Sequence, residues 1–180
     1  MKNWKSLKTE TLLETRYFKL LVEECETFKG LKMPRYYTFD FPDWVQVYAL
    51  TTANEVVLVK QYRYPARDWF YELPGGTTSA DRNEVPLLAA QRELQEETGY
   101  TSSEWKKVGE HFPNPALLNN KCHIFLAKNC IKTHPTNLDP FEELSTELLP
   151  REQVKNIFLT GNKCHSLMLA SLYLLDSIDA

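Results

Sequence analysis

Three segments in the first half of the chain combine β-branched and aromatic residues and are bounded by turn residues. Such side chains pack well on a pleated surface, so this composition is typical of strands. We predict strands over residues 45–50, 55–64 and 69–74. Residues 4–37 alternate polar and apolar positions only over short pieces, which indicates edge strands or a hairpin that leads into the core.

The hydrophobic pattern becomes helical after the double glycine at residues 75–76. Apolar residues then recur at three- and four-residue intervals, which predicts a helix over residues 84–98. Asn83 is the predicted N-cap, Pro86 lies in the first turn, and Gly99 can take the left-handed position after the last turn. The apolar stripe is formed by Leu87, Ala90 and Leu94.

The second half of the chain carries the remaining predicted elements. Residues 121–129 are typical of a further strand, residues 150–159 of a short helix, and residues 165–178 of an amphipathic closing helix. This order of elements predicts a mixed sheet with helices packed on it.

Composition limits the size and the partners of the protein. With 180 residues and 21.0 kDa, the chain fits one domain, which we expect to span residues 1–180. Hydrophobic residues make up 43% of the chain and include nine Tyr, nine Phe and four Trp, enough to bury a large core. The formal net charge of −3 gives no general attraction to a phosphate backbone, so we expect no nucleic-acid partner.

Cysteine usage and hydropathy indicate the compartment. The four cysteines form no CxxC pair and the first residues lack the apolar stretch of a signal peptide, so we expect a reducing cytoplasm. No apolar run approaches the roughly 20 residues needed to cross a bilayer, so we expect no membrane partner. The adjacent pairs Cys122-His123 and Cys164-His165 lack the spacing of tetrahedral zinc ligands.

Three glutamates, Glu93, Glu96 and Glu97, recur at positions i, i+3 and i+4 of the predicted helix. Side chains at these spacings lie roughly 5–6 Å apart, so like charges there destabilise a helix unless a cation compensates them. Carboxylates suit Mg²⁺ or Mn²⁺, and proteins usually share Mg²⁺ with substrate phosphates. The spacing therefore indicates a metal-dependent phosphate site, with a solvated acidic helix face as the alternative.

The residues before this cluster favour a site over a plain surface. Glu84 lies eight residues before Arg92, so the two side chains fall on adjacent helix faces and can brace the helix start. The sequence YELPGG at residues 71–76 turns the chain from a strand towards the helix, which brings free backbone groups near the carboxylates.

Together, ELPGG and the later pattern E-x7-RELQEETG resemble the Nudix box of the Nudix hydrolases. Gly76 precedes Glu84 by eight residues, two more than in the usual pattern, which indicates an insertion in the loop between them. The resemblance implies a fold of the α/β (α+β) class, an α/β/α sandwich with a mixed central sheet. It also implies metal-dependent attack of water on a diphosphate linked to another moiety.

Carried over to this chain, the box implies four metal ligands and a structural pair. The pair is Glu84 with Arg92, and Glu93 and Glu97 are also the catalytic carboxylates of the box. The implied ligands are the carboxylates of Glu93, Glu96 and Glu97 and the backbone carbonyl of Gly75.

The resemblance extends to residues 44–76, which are similar to ADP-ribose pyrophosphatases and other nucleoside diphosphate sugar hydrolases, with QYR before ELPGG. In that group the arginine of QYR and the glutamate of ELPGG, here Arg63 and Glu72, bind the nucleotide or diphosphate of the substrate. The similarity of residues 44–76 to these hydrolases therefore implies that Arg63 and Glu72 bind the substrate.

Two tryptophans near this stretch, Trp44 and Trp69, can stack on a nucleobase, with packing as the alternative. Trp44 is the stronger candidate because it adjoins Asp43 at the strand entrance, and we assign Trp44 and Asp43 to substrate binding. In the related dimers the N-terminal part helps to form the partner's pocket. The resemblance thus implies a homodimer, with a β extension over about residues 1–40 in its interface.

One stretch departs from the pattern of these pyrophosphatases. Residues 111–127 replace a loop that carries a catalytic glutamate in several of them, and they contain no acid. Asparagine cannot act as a general base near neutral pH, so the base must come from elsewhere or be dispensable. Glu142, and after it Glu143, lie on a loop before a late strand and are our candidates, with two solvated loop carboxylates as the alternative.

The leading hypothesis is a cytoplasmic Mg²⁺-dependent pyrophosphatase that splits ADP-ribose or a related nucleoside diphosphate sugar, with Mn²⁺ as the alternative cation. GDP-mannose, dinucleoside polyphosphates, coenzyme A and nucleoside triphosphates remain open, because the box recognises only the diphosphate and the metal. A non-catalytic ADP-ribose sensor is the alternative from another class. The missing loop glutamate supports the sensor, and the complete carboxylate set disfavours it.

Overall fold

The computed structural model describes residues 3–79, 81, 83–160 and 166–177, which form two sheets and three helices. The strands are β1 (Lys5–Glu14), β2 (Lys19–Glu26), β3 (Lys32–Asp40), β4 (Trp44–Thr51), β5 (Glu55–Arg63), β6 (Asp68–Glu72), β7 (Tyr100–Thr101), β8 (Glu104–His111), β9 (Cys122–Lys132) and β10 (Leu144–Pro150). The helices are α1 (Pro86–Thr98), α2 (Arg151–Thr160) and α3 (Ser166–Asp176).

The larger sheet has seven strands and a mixed topology. Its strand order is β10-β5-β4-β9-β7, with β6 paired to β5 and β8 paired to β9. Strands β4 and β9 run parallel, with Trp44 opposite Cys122, and the other pairs are antiparallel. The mixed central sheet is therefore confirmed.

The two faces of this sheet carry separate hydrophobic cores, because successive strand residues point to opposite faces. Val45 and Val47 of β4 belong to one core together with Leu94 of α1. Tyr48 of β4 belongs to the other core, together with Val154, Phe158, Met168 and Leu175 of α2 and α3. Helix α1 thus covers one face and the two later helices cover the other, which confirms the α/β/α sandwich.

The first three strands form a sheet of their own in the order β1-β2-β3, where the sequence indicated edge strands or a hairpin leading into the core. The Tyr36 hydroxyl donates to the Ala116 carbonyl at 3.0 Å, and the Phe39 amide donates to the Leu117 carbonyl at 2.8 Å. All ten residues of β1 are exposed. The expected N-terminal β extension is therefore present, and its first strand is exposed along its whole length.

The helix start differs from the prediction. Asn83 is not the N-cap: α1 begins at Pro86, and Val85 precedes it in an extended conformation without a side-chain cap. A residue before proline is disfavoured in the helical region, so Pro86 moves the start of the helix beyond Glu84. The end agrees with the prediction, because Gly99 takes a left-handed conformation with φ of 75°.

The remaining differences have local causes. Strand β8 was not predicted, because a register shift between Lys107 and Gly109 interrupts its alternation of inward and outward residues. Helix α2 begins one residue later than predicted, since Pro150 ends β10. Two predicted positions of the closing helix, residues 165 and 178, lie outside the described residues. Among the described helices, none combines the length and the apolar character needed to span a bilayer.

Candidate active site

A cavity of about 960 Å³ collects side chains from both faces of the central sheet and from the loop before β10. Most of the predicted site residues meet there, although they come from separate elements of the chain. Asp43 and Glu143 are not among the described residues that line it. The predicted residues in the lining are Trp44, Arg63, Glu72, Gly75, Glu93, Glu96, Glu97 and Glu142.

The glycine turn before α1 is fixed by β4. The Val45 amide donates to the Gly76 carbonyl at 2.9 Å, whereas the Gly75 amide faces the other way and donates to Glu97 Oε2 at 2.8 Å. The turn therefore directs the peptide donor of Gly75 towards a carboxylate of α1.

The two glycines of the turn have close contacts of different kinds. A Cβ on Gly75 would lie 2.1 Å from the Val45 carbonyl oxygen, a backbone atom, so this position requires glycine. A Cβ on Gly76 would lie 2.5 Å from Glu93 Oε1 and 2.6 Å from Glu93 Cδ. The absence of a side chain at Gly76 is what lets the Glu93 carboxylate lie directly against the backbone.

Burial changes the ionisation of two of the three helix carboxylates. The pKa of Glu93 is raised to about 7, mainly by burial and in part by the Glu96 and Glu142 charges, against the opposing effect of Arg92. Burial also raises the pKa of Glu97 well above its ordinary range, with added repulsion from Glu93. The two carboxylates therefore hold protons strongly unless a cation lies beside them.

Arg92 balances part of this negative charge. Its guanidinium group donates to Glu84 Oε1 at 3.2 Å, to Glu93 Oε1 at 2.9 Å and to Glu96 Oε2 at 3.0 Å. It also donates to the Thr77 carbonyl at 3.0 Å, which ties the loop after the glycine turn to the helix. The structure thus shows the predicted pair of Glu84 and Arg92 and adds two of the proposed metal ligands to it.

A second guanidinium group, that of Arg63, also lines the cavity. Arg63 donates through Nε to Glu72 Oε1 at 2.8 Å and through Nη2 to Glu72 Oε2 at 2.5 Å. Hydrogen bonding to Glu72 raises the pKa of Arg63. This two-point contact fixes the plane of the guanidinium group at the cavity wall.

The loop before β10 reaches the carboxylates of α1. The backbone amide of Asn137 donates to the backbone carbonyl of Glu96 at 2.8 Å, so the loop is anchored to the helix backbone. Asp139 and Glu142 line the cavity, and the charge of Glu142 raises the pKa values of Glu93 and Glu97. Glu143 is exposed and is not among the residues that line the cavity.

The tryptophan and the aspartate at the start of β4 have different positions. Trp44 lines the cavity and packs edge-on against Phe41, with ring centroids 5.6 Å apart. Asp43 Oδ2 lies 2.8 Å from His123 Nε2, and Asp43 Oδ1 accepts a hydrogen bond from the Lys121 amide at 2.9 Å. Asp43 therefore ties the start of β4 to the start of β9. Trp69 is exposed and packs against Tyr62 outside the cavity lining.

Several lining residues were missed by the sequence analysis. Gln46 had a usable signal, because it is a polar residue inside an otherwise apolar strand. Many of the others are ordinary residues of loops and of α3 that the chain path brings to the cavity, and no local pattern marks them. These residues include Tyr17, Asn137, Leu138, Asp139 and Leu167.

The carboxylates of α1 offer the type of oxygen ligand that a divalent cation requires. Within the described residues, no group of three or more His, Cys, Asp or Glu side chains is already arranged to hold a metal ion. Glu93 and Glu96 instead each give one oxygen to Arg92. Their oxygen atoms are nevertheless the ligands that hard cations prefer, and the raised pKa values of Glu93 and Glu97 record an unmet need for positive charge.

The sequence of this chain is similar to a known protein family and to several known proteins. The model of the NUDIX domain matches residues 42–170, a range that includes every predicted site residue. The methanol dehydrogenase activator of Bacillus methanolicus is 33% identical over 71% of this chain and 68% of its own length. The ADP-ribose pyrophosphatase of Bacillus subtilis (strain 168) is 33% identical over 69% of this chain and 68% of its own length.

A solved structure described as an ADP compounds hydrolase shares the fold. It superposes with a TM-score of 0.81 over 98% of this chain and 94% of its own, at 18% sequence identity. The likeness therefore includes the N-terminal sheet as well as the central sandwich.

Without divalent cations, we expect stability to fall as the pH rises from 5 to 8. The folded state raises the pKa of Glu93 from its ordinary 4.5 to about 7. The contribution of this group to the free energy of unfolding is therefore fully present below pH 4.5 and is lost as the pH rises through 7. At about 1.36 kcal/mol per pKa unit, removing Glu93 should abolish a pH-dependent loss of up to about 3 kcal/mol. Urea unfolding of the wild type and of Glu93→Gln at both pH values measures the difference.

The exposed Glu143 supplies the control for this experiment. Glu143→Gln should follow the wild type at both pH values, because its carboxylate is exposed and outside the cavity lining. Equal pH dependence of the wild type and Glu93→Gln would contradict the assignment of the titration to Glu93.

Proposed function

This chain belongs to the NUDIX family and is a Nudix hydrolase, and we propose that it hydrolyses the pyrophosphate bond of ADP-ribose or a related nucleoside diphosphate sugar. The products are a nucleoside monophosphate and a sugar phosphate. The packing of a glycine turn against the buried carboxylates of Glu93 and Glu97 carries this proposal. Similarity to the ADP-ribose pyrophosphatase of Bacillus subtilis supports the substrate class.

The charge of the cavity supports metal dependence. Six carboxylate side chains and two guanidinium groups line it, and both Arg63 and Arg92 already contact carboxylates. A diphosphate brings further negative charge, so its binding requires added cations. The six acidic residues are Glu72, Glu93, Glu96, Glu97, Asp139 and Glu142.

We propose Mg²⁺ as the cation, with Mn²⁺ as the alternative. When bound, such an ion polarises phosphoryl oxygens and lowers the pKa of a water molecule. The residues that would hold it are Glu93, Glu96, Glu97 and the carbonyl of Gly75. Their own contribution is a set of hard oxygen donors whose burial strengthens electrostatic interactions.

Arg63 and Glu72 are proposed to bind the nucleotide or diphosphate part of the substrate. Glu72 occupies two of the five N–H donors of Arg63, so the other donors remain for a ligand in the cavity. Trp44 offers an aromatic face at the same cavity and is proposed to stack on the base. Asp43 is proposed to support binding by holding the start of β4, where Trp44 lies.

Glu142 is the proposed general base. It lines the cavity, and its charge acts on both Glu93 and Glu97. A carboxylate in this position can accept a proton from an attacking water molecule. Glu143, its neighbour in sequence, is exposed and is the weaker candidate.

We further propose that the single domain forms a homodimer through its N-terminal sheet. Strand β1 is exposed along its whole length and carries large apolar side chains, which commonly mark protein interfaces. The exposed residues of this sheet and its flanks include Trp4, Leu7, Leu12, Leu13, Leu31 and Met33.

A reducing cytoplasm is the proposed compartment of the enzyme. Cys25, Cys122 and Cys130 are all free and buried in the described part of the chain. Free cysteines are typical of reducing compartments, because disulfides persist mainly in oxidising ones.

The function is tested by measuring phosphate products from a substrate panel with Mg²⁺. We expect ADP-ribose and nucleoside diphosphate sugars to be cleaved in preference to diadenosine polyphosphates, coenzyme A and triphosphates, and chelation by EDTA to stop the reaction. Glu97→Gln should lower kcat by on the order of 100-fold while the protein stays folded, because it removes a proposed metal ligand.

Each alternative outcome of the panel has a distinct meaning. A near wild-type rate for Glu97→Gln would refute the metal assignment. Faster cleavage of a compound outside the nucleoside diphosphate sugars would replace the substrate class. Tight binding without cleavage, with either Mg²⁺ or Mn²⁺, would identify a sensor and overturn the proposed activity.

The role of Glu142 is tested by comparison with its neighbour. Glu142→Gln should lower kcat by roughly 100- to 10,000-fold, as expected for loss of a general base, with little change in KM. Glu143→Gln should keep wild-type kinetics, because its side chain lies outside the cavity lining. Equal effects of the two substitutions on kcat would show that Glu142 has no special role.

The dimer is tested by sedimentation equilibrium. Leu7→Glu places a charge on the exposed apolar face of the N-terminal sheet, so it should weaken self-association by at least tenfold. Leu159→Glu is the matched control, since Leu159 is an exposed leucine that belongs to α2 and not to the N-terminal sheet. A wild type that sediments as a monomer would contradict the dimer.

A further inference from the structure

Gln46 is a buried polar residue that the activity proposed above does not use. It lies in β4 with only 6% of its surface exposed, and it lines the cavity. The hydroxyl group of Ser171, a fully buried residue of α3, donates to Gln46 Oε1 at 2.6 Å. The carbonyl end of this side chain is thus taken up by α3.

The amide nitrogen of Gln46 remains available to the cavity. In the described part of the chain it donates no hydrogen bond, although a primary amide has two N–H donors. A donor that no acceptor of the protein occupies is free to bind an acceptor of a ligand, and each such hydrogen bond adds to affinity. The bond from Ser171 restricts the amide to one orientation, which reduces the entropy lost on binding.

The surroundings of Gln46 differ from those of the carboxylates. Trp44 and Gln46 share the face of β4 that also carries Tyr48, and that face belongs to the core of α2 and α3. Cys122 pairs with Trp44, lines the cavity and stays a neutral thiol, because burial raises its pKa to about 12. Leu167 of α3 adds an apolar side chain to the lining.

Helix α1, which carries the acidic groups, packs on the opposite face of the sheet against the core of Val45 and Val47. Among the lining residues that the structure describes, the cavity therefore has a charged part beside α1 and an uncharged part beside α3. A diphosphate matches the charged part once cations are present. A neutral group with hydrogen-bond acceptors matches the uncharged part.

We propose that Gln46 is a specificity-determining residue whose amide nitrogen donates to a neutral acceptor in the base or the sugar attached to the diphosphate. Ser171 is a positioning residue that acts through Gln46. This inference rests on the proposed function, because it assigns the uncharged end of the same substrate. Helix α3 thereby forms a wall of the substrate site.

The inference is tested with Gln46→Met, Ser171→Ala and the double variant, using ADP-ribose, ADP-glucose and UDP-glucose with Mg²⁺. Methionine keeps the length of glutamine and removes the donor. We expect KM to rise roughly three- to tenfold in Gln46→Met for substrates that carry the acceptor, as expected for one hydrogen bond, with kcat within about twofold of the wild type. Ser171→Ala should shift KM in the same direction.

The double variant separates positioning from packing. If Ser171 acts through Gln46, Ser171→Ala should have no further effect on KM in the Gln46→Met background. Ser177→Ala is the matched control, because Ser177 follows α3 and its hydroxyl donates to the Leu174 carbonyl outside the cavity. Thermal unfolding checks the folding of each variant, and if Ser171→Ala does not fold, Gln46→Met alone decides.

The substrates distinguish the two sources of the acceptor. A changed preference between ADP-glucose and UDP-glucose assigns the acceptor to the base, and a changed preference between ADP-ribose and ADP-glucose assigns it to the sugar. Unchanged KM for all three substrates in Gln46→Met, or full additivity of the two substitutions, overturns the inference.

Failure of the proposed function is recognised separately. If the wild type cleaves none of the three compounds, the activity is wrong, and calorimetric titration of the same compounds then tests Gln46. Three- to tenfold weaker binding to Gln46→Met than to the wild type supports the inference on binding alone. Equal binding, or no binding to the wild type, overturns it.

Discussion

The close contact between the glycine turn and the buried carboxylates of α1 is the constraint on which the site depends. Gly76 leaves room for the Glu93 carboxylate, and the Gly75 amide holds Glu97. Strand β4 fixes the turn from behind through the Val45 amide. The sheet therefore sets the positions of the carboxylates, even though they belong to a helix.

This contact has an electrostatic cost that explains the chemistry of the cavity. Burial raises the pKa values of Glu93 and Glu97, and the charge of Glu142 raises them further. Arg92 offsets part of the cost by contacting Glu84, Glu93 and Glu96, but carboxylates remain in excess among the lining residues. A site of this kind favours divalent cations and, through them, anionic substrates. The excess of carboxylates thus makes the binding of a cation in this cavity electrostatically favourable.

The two cores of the sandwich divide the cavity between charged and uncharged surroundings. Helix α1 brings its carboxylates from one face of the sheet, and α3 brings Leu167 and Ser171 from the other. Gln46 lies at the border, because it belongs to β4 and is held by α3. A substrate with a charged centre and a neutral end has chemistry that matches such a division. The closing helix then has a role in recognition as well as in packing.

The sequence by itself determined the elements and chemistry that depend on local spacing. The β-branched and aromatic composition located β4, β5 and β6, helical periodicity located α1, and the spacing of Glu93, Glu96 and Glu97 indicated a common helix face. The sequence pattern placed the start of α1 too early, since the restriction that Pro86 imposes on Val85 outweighed the capping tendency of Asn83. Only the tertiary structure decided that Glu142 lies in the cavity and Glu143 outside it, and that Gln46 meets Ser171. These contacts join residues far apart in the chain, so no local pattern contains them, and only the packing of strands, helices and loops brings them together.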